Sequence, residues 1–285
     1  MIRFNFLKVC LIIFLGSANV FGQVQKKYIE IVDLSADFPN KVVKQESPLC
    51  HIHAAVSLLE NWCARKTRRR IKLSDAFFAY RYLRVRLNRI VDFKSMDTKT
   101  RDFYDWWYLL EEGTPRETFQ RFKHGQSSSE SEFPLEKLDQ IESAISRFHI
   151  DEEETLVTLK REIDEIFIEG SKQSGQKMKH NWNGGFETRS NDPDILDCMK
   201  YSFKIEIRRD FDAKAVISKL RSKIPVLAET PFGDLDKHGF VLLGFRSSEK
   251  EVERDLNVEY LVRDSATGTQ DWQKAKAYGP FLWLH

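Results

Sequence analysis

Apolar positions recur at helical spacing through the first two thirds of the chain and gather into short strand-like runs in the last third. Ile52, Ala55, Val56 and Leu59 share one face of a helix predicted over residues 51–63. A second helix is expected over residues 76–87, behind Leu73-Ser74-Asp75, with Ser74 as its N-cap. A third, over about 98–110, places Phe103, Trp106, Trp107 and Leu110 on one side. Gly113 stops it, and Thr114-Pro115 begins a short helix. The polar, Ser-rich run 124–132 reads as a loop or linker. Leu135, Leu138, Ile141, Ile145 and Phe148, then Leu156, Leu159, Ile163 and Ile166 before Gly170, describe two amphipathic helices. They form a hairpin packed on itself or on the main body. Residues 171–191 read as loop. Beyond them, 203–208 alternates, 213–220 is a short helix, and 225–228, 240–245, 260–263 and 280–284 read as strands. Helices come first and strands later, which is an α+β arrangement.

The N-terminus sets the compartment. Arg3 and Lys8 precede a short apolar run, 9–15, and then the small and polar residues 16–22. That is the order of a secretory signal peptide, 1–22, cut after Gly22. The run is too short for a span, which needs about 20 apolar residues. The remaining chain, about 260 residues, suits one large domain or two lobes sharing a cleft. Arg3 and Lys8 account for the net charge of +2, so the rest is near neutral. Interspersed charge excludes nucleic acid or anionic lipid as the main partner, and no membrane association is expected after signal cleavage. The cluster Arg65-Lys66-Thr67-Arg68-Arg69-Arg70 reads as a solvated helix end.

Cleavage leaves Cys50, Cys63 and Cys198. An odd count in an oxidising compartment leaves one thiol unpaired in a monomer. A bridge between Cys63 and Cys198 with Cys50 free fits the count, although Cys50 paired with either is also open until geometry decides. Cys50 follows Ser47-Pro48-Leu49 and opens a strong helix, where the dipole favours a thiolate. His238 opens the apolar strand 240–245, and Asp264 ends the next one, so base and acid can meet side by side. His51 and His53 follow the cysteine, but residues so spaced on a helix point apart and make a poor ligand set. No metal and no cofactor is expected.

These residues resemble the papain-like cysteine peptidases. V-D-L-S-A-D-F-P-N-K-V-V-K-Q-E-S-P-L-C-H-I-H-A-A-V-S-L-L-E is similar to the start of the mature peptidase, where a glutamine precedes the cysteine that opens a long helix. L-S-D-A-F-F resembles the family's Leu-Ser-Glu-Gln helix, and D-F-Y-D-W-W-Y-L-L-E-E-G-T-P its next helix and glycine turn. K-H-G-F-V-L-L-G-F resembles the histidine strand, and Y-L-V-R-D-S-A-T-G-T-Q-D-W the block that carries the orienting asparagine. The likeness covers residues 32–121 and 203–272. It implies a divergent, bacterial-type member with a helical lobe (about 45–124), an inserted helical hairpin (about 125–180) and a β-barrel-like, strand-rich lobe (about 195–285).

The resemblance further implies Cys50 as nucleophile, His238 as general base and acid, Asp264 in place of the asparagine, and Gln45 as oxyanion donor. The product would be a secreted or periplasmic peptidase acting on an extended polypeptide. There are departures. Gln45 stands five residues before the cysteine instead of six, His51 replaces a tryptophan, and Ala266 replaces the tryptophan beside the orienting residue. A domain that has lost catalysis and binds a peptide in the cleft is the alternative.

Overall fold

A computed structural model describes residues 27–38, 42, 44, 49–93, 115–147, 153–180, 186–208, 212–229, 238–249, 258–274 and 280–285. The expected signal peptide, Gln45 and the expected helix 98–110 lie outside the described residues.

Helix α1, Cys50–Thr67, is the axis of the molecule. Ile52, Ala55, Leu59 and Trp62 are fully buried on it. The helix runs four residues past the last expected position, because Ala64 to Thr67 prolong it with a charged, more exposed turn. It ends where Arg68 takes a left-handed conformation, φ 58°, and returns its N–H to the Ala64 carbonyl. Helix α2, Asp75–Phe93, begins behind Ser74, whose hydroxyl accepts from the Phe77 N–H at 3.0 Å. The same hydroxyl donates to the Phe133 carbonyl at 2.6 Å, so one side chain both caps the helix and ties a distant loop to it.

After α3, Pro115–Lys123, come the two amphipathic helices α4, Glu136–Ser146, and α5, Glu153–Gln173. They pack on each other and on α2. The Tyr80 ring stacks on Phe167 at 3.8 Å, and Arg84 Nε donates to Asp164 at 2.6 Å.

Residues 124–132 form a loop, as expected, but one in which Ser127, Ser128 and Ser129 are buried. The Glu132 carboxylate accepts from the Ser129 N–H at 2.9 Å and the Ser190 hydroxyl at 2.6 Å, replacing the water these polar groups lose. Residues 171–191 are not all loop. They hold the end of α5 and a small hairpin, β2 (Met178–His180) with β3 (Phe186–Thr188). Strands of three residues are too short to show alternation.

The last third is a sheet. Counting β1, Glu30–Asp33, its strands are β4 (Ile205–Arg208), β5 (Val226–Glu229), β6 (Gly239–Ser247), β7 (Glu259–Asp264), β8 (Thr269–Lys274) and β9 (Phe281–Leu284). Their order is β4-β9-β5-β6-β7-β8, with β1 also on β6, and every pairing is antiparallel. Between β3 and β4 lies the short helix α6, Pro193–Cys198, capped by the Asp192 carboxylate. Helix α7, Ala213–Arg221, starts at Asp212, whose side chain accepts from the Ala215 N–H, and packs on β5 and β6.

β6 is the sheet's longest strand, lying against α1 and taking β1 at its far end. A Cβ on Gly244 would stand 2.1 Å from the Val32 carbonyl oxygen, so β1 closes on β6 only because that position is glycine. The molecule is thus mixed helix and antiparallel sheet, with α1 laid across β6. Among the described residues no helix is long and apolar enough to cross a membrane.

Candidate active site

The contact between α1 and β6 brings the chemistry together. Cys50 is the first residue of α1 and only 6% exposed. Its sulfur accepts from the Gly239 N–H at 3.4 Å, where β6 begins. His238 immediately precedes that glycine. The β6–β7 register pairs Val241 with Arg263, which sets His238 and Asp264 at the same end of neighbouring strands. His238 Nε2 lies 2.6 Å from Asp264 Oδ1. The second ring nitrogen is left for the sulfur, and the His238 ring is hydrogen-bonded to the Cys50 side chain.

Electrostatics reinforce this order. Burial disfavours an imidazolium at His238, but the hydrogen bond to Asp264, then the hydrogen bond and charge of Cys50, outweigh it. The pKa is pushed up to about 10. Burial would also raise the Asp264 carboxyl, yet its hydrogen bond to His238 and the imidazolium charge hold it below the ordinary carboxylate range. The Ala266 N–H donates to the same Asp264 oxygen at 2.8 Å and fixes the carboxylate plane. Site and sheet therefore share one cause: the end of β7 turns sharply, and the turn's backbone holds the acid.

Cys63, 13 residues further along α1, is bonded to Cys198 at the end of α6, with a Cα separation of 5.4 Å. Cys50 takes no part in a disulfide. Cys50, His238 and Asp264 thus meet at one place, while Cys63 and Cys198 meet at another. The Cys50 sulfur lies at the start of a helix, where unpaired backbone N–H groups and the dipole's positive end favour an anion.

Among the described residues no group of His, Cys, Asp and Glu has the arrangement to hold a metal ion. His51 packs edge-on against the Tyr82 ring, centroids 4.7 Å apart. Its pKa falls to about 3, first through burial and then through Arg86 and His53, so this imidazole stays neutral. His53 behaves differently. Its Nδ1 lies 3.0 Å from Asp75 Oδ1, with both side chains buried. Lys72 stands 3.5 Å from the other Asp75 oxygen and 3.5 Å from Glu60. The sequence offered no local sign of this pair, since the two residues are 22 apart and meet only when α1 crosses the start of α2.

No family model matches the chain, and no curated protein does. Among solved structures, a mite-allergen structure from work on antibody cross-reactivity between Blo t 1 and Der p 1 is similar over 94% of this chain and 73% of its own. The identity is 11% and the TM-score 0.48. The Amb a 11 cysteine protease, a major ragweed pollen allergen, in its proform, is similar over 94% of this chain and 66% of its own, at 13% identity and a TM-score of 0.47. The chain therefore spans just under two thirds of that proform's length.

Proposed function

We propose that the chain is an exported cysteine peptidase of the papain-like kind, with Cys50 as nucleophile, His238 as general acid and base, and Asp264 as the group that orients the imidazole. The observation that carries this reading is the alignment at the α1–β6 contact. An unbridged cysteine at a helix start meets a histidine that a carboxylate grips at 2.6 Å from its other side. The resemblance of the surrounding motifs to the family, in the family's order, supports it from the sequence side.

The chemistry follows from the parts. The Cys50 sulfur attacks a peptide carbonyl carbon, and the carbonyl oxygen takes up the negative charge against the N–H groups at the helix start. Gln45 is proposed as a second donor there. As the C–N bond breaks, His238 passes its proton to the departing amine, leaving an acyl thioester on Cys50. A water then loses a proton to His238 and attacks the thioester carbon. The carboxylic acid departs and the sulfur is restored. The proposed substrate is an extended polypeptide, held between the helical part and the sheet. In that reading α4 and α5 are an insertion between the two parts. The buried Cys63–Cys198 bridge suits the oxidising compartment to which a signal peptide would deliver the protein.

A thiol-directed epoxide probe tests the proposal. The expected result is one adduct, on Cys50, that disappears in His238→Ala while the fold, read by circular dichroism, persists. Equal labelling with and without His238 would overturn the nucleophile's activation. An unreactive Cys50 in the folded native protein would leave the peptide-binding alternative standing instead.

A further inference from the structure

The start of α1 is built unlike the starts of α2, α6 and α7. Ser74, Asp192 and Asp212 each cap their helix through a side-chain oxygen. At α1 the N-cap is Leu49, which has no side chain able to do so, and no side-chain cap bond is made. An uncapped first turn ordinarily frays. Yet this turn presents Cys50, and its backbone holds by the Ile52 and His53 N–H groups reaching the Leu49 carbonyl at 2.9 and 3.3 Å.

What anchors it is the side chain of His53. It leaves the first turn on the side facing α2 and reaches Asp75, the first residue of that helix, 3.0 Å away in a site where both side chains are about 5% exposed. Asp75 is itself fixed, since Lys72 holds its second oxygen and also faces Glu60 and Glu130. A carboxylate only accepts, so His53 Nδ1 is the donor. The ring's other nitrogen, Nε2, makes no hydrogen bond among the described residues. His53 borders a small polar cavity together with Ala54, Ser57, Lys72, Gly239 and Arg263. The anchoring therefore runs through Nδ1 alone.

We infer that the His53–Asp75 pair takes the place of a helix cap at α1 and fixes the Cys50 sulfur against His238, making both members positioning residues for the reaction proposed above. The inference rests on that reading for its consequence in catalysis, but its structural part can be read without any activity. Neither residue touches the sulfur. Their effect passes through one helical turn, from His53 to Cys50.

The experiment compares His53→Leu, which keeps bulk and removes the donor, with His53→Asn, whose amide N–H stands near the place of Nδ1. Amide exchange is followed in the first turn, at Ile52 and His53 or its replacement, against Leu58 to Trp62 further along α1. The rate of Cys50 alkylation by iodoacetamide is measured in parallel, with kcat and KM wherever a peptide substrate is turned over. Loss of one buried charged hydrogen bond corresponds to roughly a tenfold to hundredfold change.

In His53→Leu, protection of the first turn is expected to fall by about that factor while Leu58 to Trp62 keep theirs, with alkylation and kcat falling and KM nearly constant. His53→Asn should recover most of each. Unchanged first-turn exchange in His53→Leu, or equal loss in the two variants, would overturn the inference. Should the wild-type Cys50 prove inert while the exchange pattern holds, the peptidase reading fails and the cap replacement stands. Uniform loss of protection along α1 would count against a local anchor.

Discussion

Asp264 stands where the resembled family places an asparagine, and the difference is one full charge 2.6 Å from an imidazole. A neutral amide would orient the ring equally well, but only the carboxylate stabilises its protonated form. The raised pKa of His238, about 10, has a definite sign for stability. An unfolded histidine titrates near about 6.5. Its contribution to stability is therefore complete below that pH, and is lost progressively as pH rises toward the folded value. Replacing Asp264 by Asn should lower the His238 midpoint by more than one unit, as followed by NMR titration of the labelled imidazole. The loss of stability above neutral pH should then be smaller and be complete at a lower pH. A midpoint that does not move in Asp264→Asn would mean that Cys50, and not Asp264, holds the proton on the ring. The catalytic counterpart is that any alkaline limb of peptide hydrolysis should shift down with the same substitution, because transfer to the leaving amine needs the imidazolium.

At the scale of elements, some of this fold was legible and some was not, for physical reasons. Ser74 announced the start of α2 because a hydroxyl before an apolar helical run has one dominant local use. Strand β6 was legible as a continuous apolar run, and the meeting of His238 with Asp264 followed from the ends of two consecutive strands. β8, by contrast, reads Thr-Gln-Asp-Trp-Gln-Lys, an edge strand that faces solvent and so carries no apolar signature. The burial of serines 127–129 was not legible, because burial of polar residues depends on partners such as Glu132 and Ser190, and Ser190 lies about sixty positions away. The His53–Asp75 contact was invisible for the same reason.

β1 offers a sharper test of how elements are fitted. Gly244 sits at an irregularity in the β6–β7 ladder and lets β1 approach. In Gly244→Ala the new methyl would meet the Val32 carbonyl, a backbone group that cannot swing aside as a side chain would. Overpacking of this kind costs about 1–3 kcal/mol. The urea midpoint should fall accordingly, and exchange at the Leu34 N–H, which donates to the Leu243 carbonyl at 2.9 Å, should accelerate most. An unchanged midpoint would mean β1 contributes little to the fold.

At the scale of the whole molecule, the proposed chemistry and the compartment make opposite demands on sulfur. Cys50 must stay reduced to act, whereas Cys63 and Cys198 must stay oxidised to hold. The structure separates them by access. Cys63 and Cys198 are fully buried, while Cys50 keeps some exposure at the helix start. The bridge spans 135 positions and ties the axis helix α1 to α6, just ahead of the sheet strands β4 to β9. Closing so long a loop removes unfolded-state entropy worth about 5 kcal/mol in the chain-entropy treatment, an upper figure because unfolded chains keep some structure. Two outcomes follow. Mild reductant in native buffer should free Cys50 from any mixed disulfide and leave the bridge intact, as counted by mass after alkylation with and without denaturant. The Cys63→Ala/Cys198→Ala double variant should lose several kcal/mol by denaturant titration, yet keep Cys50 reactive at temperatures where it remains folded. Cleavage of the bridge under native mild reduction would mean that the burial seen at Cys63 and Cys198 does not protect it. In that event the same conditions that activate the thiol would unfold its scaffold.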